Sequence, residues 1–246
     1  MGGPGRGRRR RARAPVIIYG RNAVREALRS GRRPVTEIWV TEAASNEPWL
    51  AALPGVAIHG GEEIASRCGS EDHQGVCADA GEYPYVPASE LLEDPDPLIV
   101  VLDQVQDPQN LGAVCRTAEA VGAAGVVIPE RRSAEVTPAA VKASAGASEW
   151  VPVARVRNVA DFLAEAKKAG CWCYGAALGD GAVDYLEPDY SGGCVLVLGA
   201  EGAGLRPRVA ASCDQLITLP MRGSLDSLNI SAAAAALLYA IAARRA

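Results

Sequence analysis

Histidine, lysine and long apolar runs are scarce in this 246-residue sequence, and each scarcity excludes a class of function. Only His59 and His73 are present and the seven cysteines form no CxxC pair, which disfavours a zinc site or a histidine-based catalytic triad. Most of the cysteines lie among apolar or small residues, as reduced thiols do. The longest apolar run, 232–243, is shorter than the roughly 20 residues of a membrane-spanning helix. We therefore expect no metal, no membrane segment and a cytoplasmic location.

Charge is unevenly distributed along the chain. Residues 1–14 contain six of the 25 basic residues and no acid, which leaves 19 basic against 29 acidic residues in the rest. Such a Gly/Arg arm buries too little apolar surface to fold, but its guanidinium groups can neutralise phosphates. We expect the arm to contact RNA through Arg8, Arg9 and Arg10; a solubilising or non-native start is the alternative. A second candidate RNA patch, whose alternative is a solvated helix face, comprises Arg21, Arg25, Arg29, Arg32 and Arg33.

Alternating helix and strand patterns divide the rest of the chain into two units. Residues 15–81 alternate short helices and strands. Asn22 is the expected N-cap of the first helix, Gly31 is its expected C-terminal end, and a strand is predicted at 35–40. The proline- and acid-rich stretch 82–97 indicates a linker. Residues 98–246 begin with a buried strand at 98–102 and close with a helix at 228–244. The predicted fold class is α/β, with a C-terminal parallel-sheet domain and a small N-terminal α/β domain.

The loop after the first strand of the second unit is unusually polar, and such loops bind ligands in open α/β sheets. Asn110 precedes the next predicted helix and is its expected N-cap, a purely structural role. Arg116 lies off the apolar stripe of that helix and is the only basic residue between Ser89 and Glu130. A solvated charge is the alternative to a functional role for Arg116.

Two later loops also follow predicted strands. Residues 199–204 hold three glycines around Glu201, but they match neither a Rossmann fingerprint nor a Walker loop, because their position is wrong and no lysine follows. Residues 219–231 place Ser227 and Asn229 at the start of the closing helix, where either side chain is a candidate cap. Apolar and polar groups alternate there, as suits a ligand pocket.

Together the three loops resemble the three motifs of the SpoU (TrmH-like) family of SPOUT RNA 2′-O-ribose methyltransferases. The matching strings are DQVQDPQNLGAVCRTAEAVGAAGVVIP at 103–129, VLVLGAEGAGL at 195–205 and LPMRGSLDSLNISAAAAALLY at 219–239. Segments 19–32 and 73–76 resemble the ribosomal-protein-like RNA-binding domain of members that methylate guanosine in ribosomal RNA. The resemblance implies a trefoil-knotted catalytic domain, S-adenosylmethionine as cofactor, RNA as substrate and a homodimer.

The resemblance also implies the site residues and the reaction. The positions that match the family's cofactor site are Gly199, Leu219, Met221 and Leu228, and those that match its polar active site are Asn110, Arg116, Glu201, Ser227 and Asn229. Because an arginine is effectively always protonated, we expect Arg116 to orient a phosphate and stabilise oxyanion charge rather than act as the base.

The expected target is a ribose 2′-hydroxyl of guanosine in 23S ribosomal RNA. A tRNA or a resistance-type ribosomal RNA target is the alternative within the family. A non-catalytic RNA-binding or ribosome-assembly protein and an α/β enzyme acting on a small molecule are the alternatives of other classes.

Overall fold

The N-terminal unit is a four-stranded sheet with four short helices. The computed structural model describes residues 16–179 and 181–245, so Arg8, Arg9 and Arg10 lie outside the described residues. The strands are β1 (Val16–Tyr19), β2 (Val35–Val40), β3 (Val56–Ile58) and β4 (Val76–Ala80), in the order β1-β4-β2-β3. The helices are α1 (Arg21–Ser30), α2 (Glu42–Ser45), α3 (Pro48–Ala51) and α4 (Gly61–Cys68).

Helix α1 shows where local sequence signals succeed and fail. It begins at Arg21 after Gly20, so Asn22 lies inside the helix and the prediction that Asn22 caps it is wrong. Gly31 ends the helix as predicted: its φ of 62° is left-handed, and its N–H donates to the carbonyl of Ala27 at 3.3 Å.

The C-terminal unit is a seven-stranded parallel sheet. Its strands are β5 (Leu98–Asp103), β6 (Gly125–Pro129), β7 (Val153–Val156), β8 (Trp172–Ala176), β9 (Val183–Asp184), β10 (Cys194–Gly199) and β11 (Gln215–Thr218). Their order is β7-β6-β5-β10-β8-β11-β9. The helices are α5 (Pro108–Ala120), α6 (Pro138–Ala143), α7 (Val159–Lys168), α8 (Pro207–Ala210) and α9 (Ile230–Arg245).

Helices cover both faces of this sheet, as a parallel sheet requires. Successive residues of β5 point to opposite faces, so Leu98, Val100 and Leu102 pack with α5, α6 and α9. Ile99 and Val101 pack with α7 and α8 on the other face. The predicted C-terminal parallel-sheet domain and smaller N-terminal α/β domain are confirmed, whereas the knot stays a prediction, because strand order alone does not trace the threading of the chain.

The segment 82–97 packs against the C-terminal unit along its length. The hydroxyl of Tyr83 donates to the carbonyl of Ser148 at 2.7 Å, and the N–H of Val86 donates to the carbonyl of Val153 at 3.0 Å. A 3₁₀ helix at Ala88–Leu92 buries Leu91. The acidic and proline-rich segment 82–97 is therefore ordered against the C-terminal unit. The domain limits themselves stay a prediction.

A buried ion pair joins the two units. The guanidinium of Arg33 donates from Nε to Oε2 of Glu149 at 3.1 Å and from Nη2 to Oε1, and the two side chains are 1% and 0% exposed. Arg32 is half-buried and donates to the main-chain carbonyls of Pro84 and Val151. The expectation that Arg33 belongs to an RNA-contacting patch is therefore wrong, because its guanidinium is buried against Glu149. For Arg32 that expectation stays a prediction.

The described residues contain neither a membrane-spanning helix nor a metal-binding cluster. Across 16–179 and 181–245, no helix combines the length and apolar character needed to cross a membrane. Within the same residues, no group of three or more histidine, cysteine, aspartate or glutamate side chains is arranged to hold a metal ion.

Candidate active site

The candidate site lies where the parallel strands of the C-terminal sheet end. Strands β5 and β10 are neighbours in register, with Asp103 paired to Gly199, so the loops that follow them emerge side by side. The third loop follows β11, which runs parallel to them through β8. The carboxyl ends of parallel strands meet at one edge, which is where open α/β sheets bind ligands.

One carboxylate oxygen connects all three loops. Oε1 of Glu201 accepts hydrogen bonds from Nδ2 of Asn229 at 2.6 Å, from Nδ2 of Asn110 at 3.1 Å and from the N–H of Ile230 at 3.4 Å. The Nδ2 group of Asn229 also donates to Oδ1 of Asn110 at 3.1 Å. Because all three bonds to Glu201 end on Oε1, its Oε2 atom accepts no hydrogen bond within the described part of the chain. Three of the five predicted polar residues therefore form one cluster.

Helix capping explains how the two asparagines reach this cluster. Asp107, rather than Asn110, caps α5 by accepting from the N–H of Gln109 at 2.9 Å, so the prediction of an Asn110 cap is wrong and its amide is available to Glu201. Asn229 has two roles: its Oδ1 accepts from the N–H of Ser231 at 2.9 Å, which caps α9, while its Nδ2 bonds to the cluster.

The glycine loop folds back on the end of β10. A Cβ atom on Gly199 would lie 2.1 Å from the carbonyl carbon of Gly204, so the loop packs backbone against backbone at this point. Gly202 and Gly204 have φ values of 75° and 64°, which glycine adopts at little cost. Ala200 and Gly204 form an antiparallel bridge that closes the loop.

An ion pair that sequence reasoning missed fixes the base of this loop. Asp103 is fully buried at the end of β5 and accepts from Nε of Arg206 at 2.8 Å and from the N–H of Arg206 at 3.1 Å. The available signal was an acidic residue that ends an otherwise apolar strand, because such a buried charge requires a partner.

Apolar side chains line the third loop on the solvent side. Leu219 packs partly against the core, and Met221 is half-buried. Leu225 and Leu228 are 75% and 46% exposed, although large apolar side chains are normally covered. Sequence reasoning included Leu228 but missed Leu225, which the same exposure now places among the candidates for an apolar ligand surface.

Arg116 and Ser227 remain outside the hydrogen-bonded cluster. Both are exposed, and neither side chain makes a hydrogen bond or ion pair within the described residues. Arg116 is six residues after Asn110 in α5, which corresponds to about 9 Å along the axis and roughly 120° around it. It follows Gly112 by four residues and shares the helix face on which Gly112 packs against Ala140 of α6.

Of the other arginines in the predicted patch, Arg29 pairs with Glu26 at 2.9 Å, whereas Arg21 and Arg25 differ in their surroundings. Arg21 donates from Nη1 to Glu47 at 2.5 Å and from Nε to the carbonyl of Gln74 at 3.2 Å. Arg25 is exposed and makes no side-chain hydrogen bond or ion pair among the residues that the structure describes. Arg25 is therefore available to a phosphate, whereas the charge of Arg21 is largely balanced.

Comparison with known families assigns both halves of the chain. The profile of the SpoU rRNA Methylase family matches residues 97–239, more than half of the chain. The chain belongs to the SpoU rRNA methylase family. A second profile, for the substrate-binding domain of RNA 2′-O ribose methyltransferases, matches residues 17–86 of this SpoU methylase.

Individual relatives of this SpoU methylase extend over nearly its whole length. A 23S rRNA (guanosine-2′-O-)-methyltransferase, RlmB, of Pseudomonas syringae pv. tomato is 38% identical over 234 residues, which cover 90% of this chain and 93% of that protein. The SpoU methyltransferase AviRb of Streptomyces viridochromogenes, solved with AdoMet, superimposes with a TM-score of 0.79 at 25% identity and covers 94% of this chain and 90% of its own. An AdoMet-bound rRNA methyltransferase of Sinorhizobium meliloti gives 0.76 at 28% identity, with coverages of 92% and 86%.

Family membership confirms the resemblance carried by the three motifs. The protein is an S-adenosylmethionine-dependent RNA 2′-O-methyltransferase, with a substrate-binding domain in front of the SpoU catalytic domain. The individual roles of the site residues stay predictions.

Proposed function

We propose that this SpoU methylase transfers a methyl group to the ribose 2′-hydroxyl of a guanosine in 23S ribosomal RNA, in the cytoplasm. The observation that carries the proposal is the bonding of Asn110, Glu201 and Asn229 through one carboxylate oxygen, because it brings all three motif loops to one place. The similarity to RlmB over nine-tenths of the chain and the substrate-binding domain support ribosomal RNA over transfer RNA.

The residues at the three strand ends suit S-adenosylmethionine. The backbone around Gly199 has no room for a side chain, and the exposed leucines of the third loop offer an apolar surface to an adenine ring. Gly199, Leu219, Met221 and Leu228 would hold the cofactor, which when bound supplies an electrophilic sulfonium methyl group. Hydrogen bonds among the three loops hold this surface together, and such preorganisation supports in-line alignment of the reactants.

The polar residues are assigned by what each can offer. Glu201 keeps Oε2 as an acceptor for a ribose or cofactor hydroxyl, while Asn110 and Asn229 hold its carboxylate in place. Ser227, two residues before Asn229, offers a hydroxyl that makes no hydrogen bond among the described residues. Arg116 offers a guanidinium that binds a phosphate with paired N–H groups and stabilises developing oxyanion charge at the 2′ oxygen.

The proposed active unit is a homodimer. Helix α9 exposes a stripe of apolar residues at helical spacing, Ala232, Ala236, Tyr239 and Ala243, which a second copy would cover. Arg116 makes no bond to the cluster of its own chain, so a partner copy is a second source of the guanidinium. Mixing Arg116→Ala with Glu201→Gln distinguishes the two sources: activity returns in mixed dimers when Arg116 acts across the interface and stays absent when it acts within one chain.

The experiment that tests the proposed function measures tritium transfer from labelled S-adenosylmethionine to unmodified 23S ribosomal RNA and to a tRNA pool. We expect label in the ribosomal RNA alone, and at least a 100-fold lower kcat for Arg116→Ala with unchanged cofactor affinity. Lys168→Ala is the matched control, because Lys168 is the last residue of α7 and lies towards the amino-terminal ends of the strands, away from the candidate site. Label in tRNA alone, or near-normal turnover by Arg116→Ala, contradicts the proposal.

A further inference from the structure

The N-terminal unit contains a cavity that the three catalytic loops do not reach. Its volume is about 430 Å³, and its lining comes from the start of α1, the residue after β2 and the loop before β4: Arg21, Thr41, His73, Gln74 and Gly75. It is an open depression in the surface of this unit rather than an enclosed site, and the side chain of Gln74 in its wall is exposed. Three residues of the motif 73–76 that resembles the family's front domain line this cavity, while the fourth, Val76, begins β4.

The cavity wall offers hydrogen-bond donors. Nδ1 of the buried His73 accepts from the N–H of Gly75 at 2.9 Å, so in the neutral ring the proton is on Nε2. Oε1 of Gln74 accepts from the N–H of Arg21 at 3.3 Å, which leaves the Gln74 amide N–H₂ group without a partner among the described residues. The ligand that matches this wall is rich in acceptors.

The charge at the cavity argues against a phosphate as the occupant. Among the described residues of the lining, Arg21 is the only arginine or lysine, and its guanidinium is paired with Glu47 at 2.5 Å. A second bond to the carbonyl of Gln74 fixes the plane of the guanidinium. A directed but nearly neutral set of donors matches the edge of a nucleobase better than a dianion or a backbone phosphate.

The backbone of the lining loop is held in a costly conformation. Gln74 has a φ of 54°, a left-handed backbone that side-chain-bearing residues rarely adopt, and such strain clusters at ligand sites. Gly75 has a φ of 75°, and a Cβ on it would lie 2.4 Å from Oγ1 of Thr41. The bonds from Arg21 and within the loop fix Gln74 so that its amide lines the cavity.

We propose that this cavity binds one unpaired nucleobase of the RNA substrate by an edge that carries two acceptors, such as O6 and N7 of guanine. Sequence-specific RNA recognition targets unpaired bases that turn out of the stack, and donor side chains read their edges. The inference rests on the proposed function only in that the ligand is RNA. It assigns a base-reading role to Gln74 and His73, at a site separate from the methyl-transfer loops.

Gln74→Gly tests the cavity, because glycine keeps the left-handed backbone and removes the amide. We expect the Kd for a 23S ribosomal RNA fragment to rise about tenfold, which is the loss of about 1.4 kcal/mol, with kcat at saturating RNA unchanged. Ala145→Gly is the matched control, since Ala145 also has a positive φ of 52° and does not line the cavity. Arg21→Gln is a second variant that keeps the inference testable if Gln74→Gly fails to fold.

A series of fragments, each with one abasic nucleotide in an unpaired segment, identifies the base. We expect one abasic position to weaken wild-type binding about tenfold and to leave Gln74→Gly binding unchanged, which marks that base as the partner of the amide. Three results overturn the inference: an unchanged Kd for Gln74→Gly, a loss that is equal at every abasic position, or a salt slope that falls by about one, which indicates a phosphate contact. These measurements report binding and not methyl transfer. If Gln74 and one base depend on each other in binding but the wild-type protein transfers no methyl group, the proposed function is contradicted and this inference is not.

Discussion

Arg206 and Asp103 join the first two catalytic loops at their bases. The guanidinium donates from Nε to Oδ1 at 2.8 Å, and the main-chain N–H of Arg206 donates to Oδ2 at 3.1 Å. The Asp103 side chain has no exposed surface, whereas the Arg206 side chain is 41% exposed. Within the described part of the chain, Arg206 is the cation that pairs with this buried carboxylate, and it also anchors the glycine loop to the end of β5.

Replacing Arg206 with leucine leaves this carboxylate buried and unpaired. Breaking a fully buried pair costs about 3–5 kcal/mol, and we expect about 2–3 kcal/mol here because water reaches Arg206. Urea unfolding measures this loss, and calorimetry is expected to show weaker binding of S-adenosylmethionine. Arg208→Leu is the control two residues away: its pair with Asp161 is largely exposed, so a loss below about 1 kcal/mol is expected. Equal losses for the two variants would show that burial of Asp103 is irrelevant.

Gly199→Ala tests whether the closed glycine loop forms the cofactor site. The added methyl would meet the main chain of Gly204 at 2.1 Å, and backbone cannot turn away as a flexible side chain can. We expect cofactor affinity to fall at least 30-fold by calorimetry, with a lower melting temperature. Gly202→Ala is a graded control, because its Cβ enters open space and costs only the left-handed strain, about 1–2 kcal/mol. Wild-type cofactor affinity in Gly199→Ala would exclude this loop from the site.

The Arg33–Glu149 pair is expected to fix the substrate-binding domain on the catalytic domain. Glu149→Ala leaves the Arg33 guanidinium buried without its carboxylate, and we expect a loss of about 3–5 kcal/mol in the free energy of unfolding. The double variant Arg33→Met with Glu149→Leu removes both charges and should recover most of that loss. Urea unfolding of both variants makes the comparison. If the double variant is less stable than Glu149→Ala, the unpaired charge is not the cause.

We expect the buried thiols to make the protein less stable at high pH. Desolvation raises the pKa of Cys115, Cys173 and Cys194 to about 12, while an unfolded thiol has a pKa of about 8.5. Because each thiol has a higher pKa in the folded state, the folded state keeps its protons where the unfolded state loses them. The stability that these thiols contribute is therefore complete below the unfolded pKa and decreases as pH rises towards 12. The free energy of unfolding should therefore be lower at pH 9.5 than at pH 7.5, and Cys115→Ala should reduce the difference. A difference that is identical with and without Cys115 would contradict this origin.

Local sequence signals predicted the elements whose cause is local. The strand at Val35–Val40 has the predicted bounds, and Gly31 ends α1 because only a left-handed residue continues the chain there. The three loops were located because polar and glycine residues follow apolar strands. Short strands such as β7, whose four residues gain their burial from distant partners, were missed.

Contacts between residues far apart in sequence explain most of the predictions that were wrong. Arg33 looks like a surface charge in sequence and is buried because Glu149, 116 residues away, meets it across the two units. Asn110 looks like a helix cap, but Asp107 competes for that position and frees the Asn110 amide for Glu201. The contacts of Arg116 and the threading of the chain depend on partners that no local pattern specifies.

The most direct test of the central claim uses one mapped guanosine in a 23S ribosomal RNA fragment and its 2′-deoxy counterpart. Labelled methyl transfer to the ribose form is expected, with no transfer to the deoxy form and no loss of binding to it beyond about threefold. Asn229→Ala, which opens the shared cluster at Glu201, should lower transfer to the ribose form by at least tenfold. Equal labelling of both RNAs would mean that the methyl group goes elsewhere than the 2′ oxygen and would contradict the account.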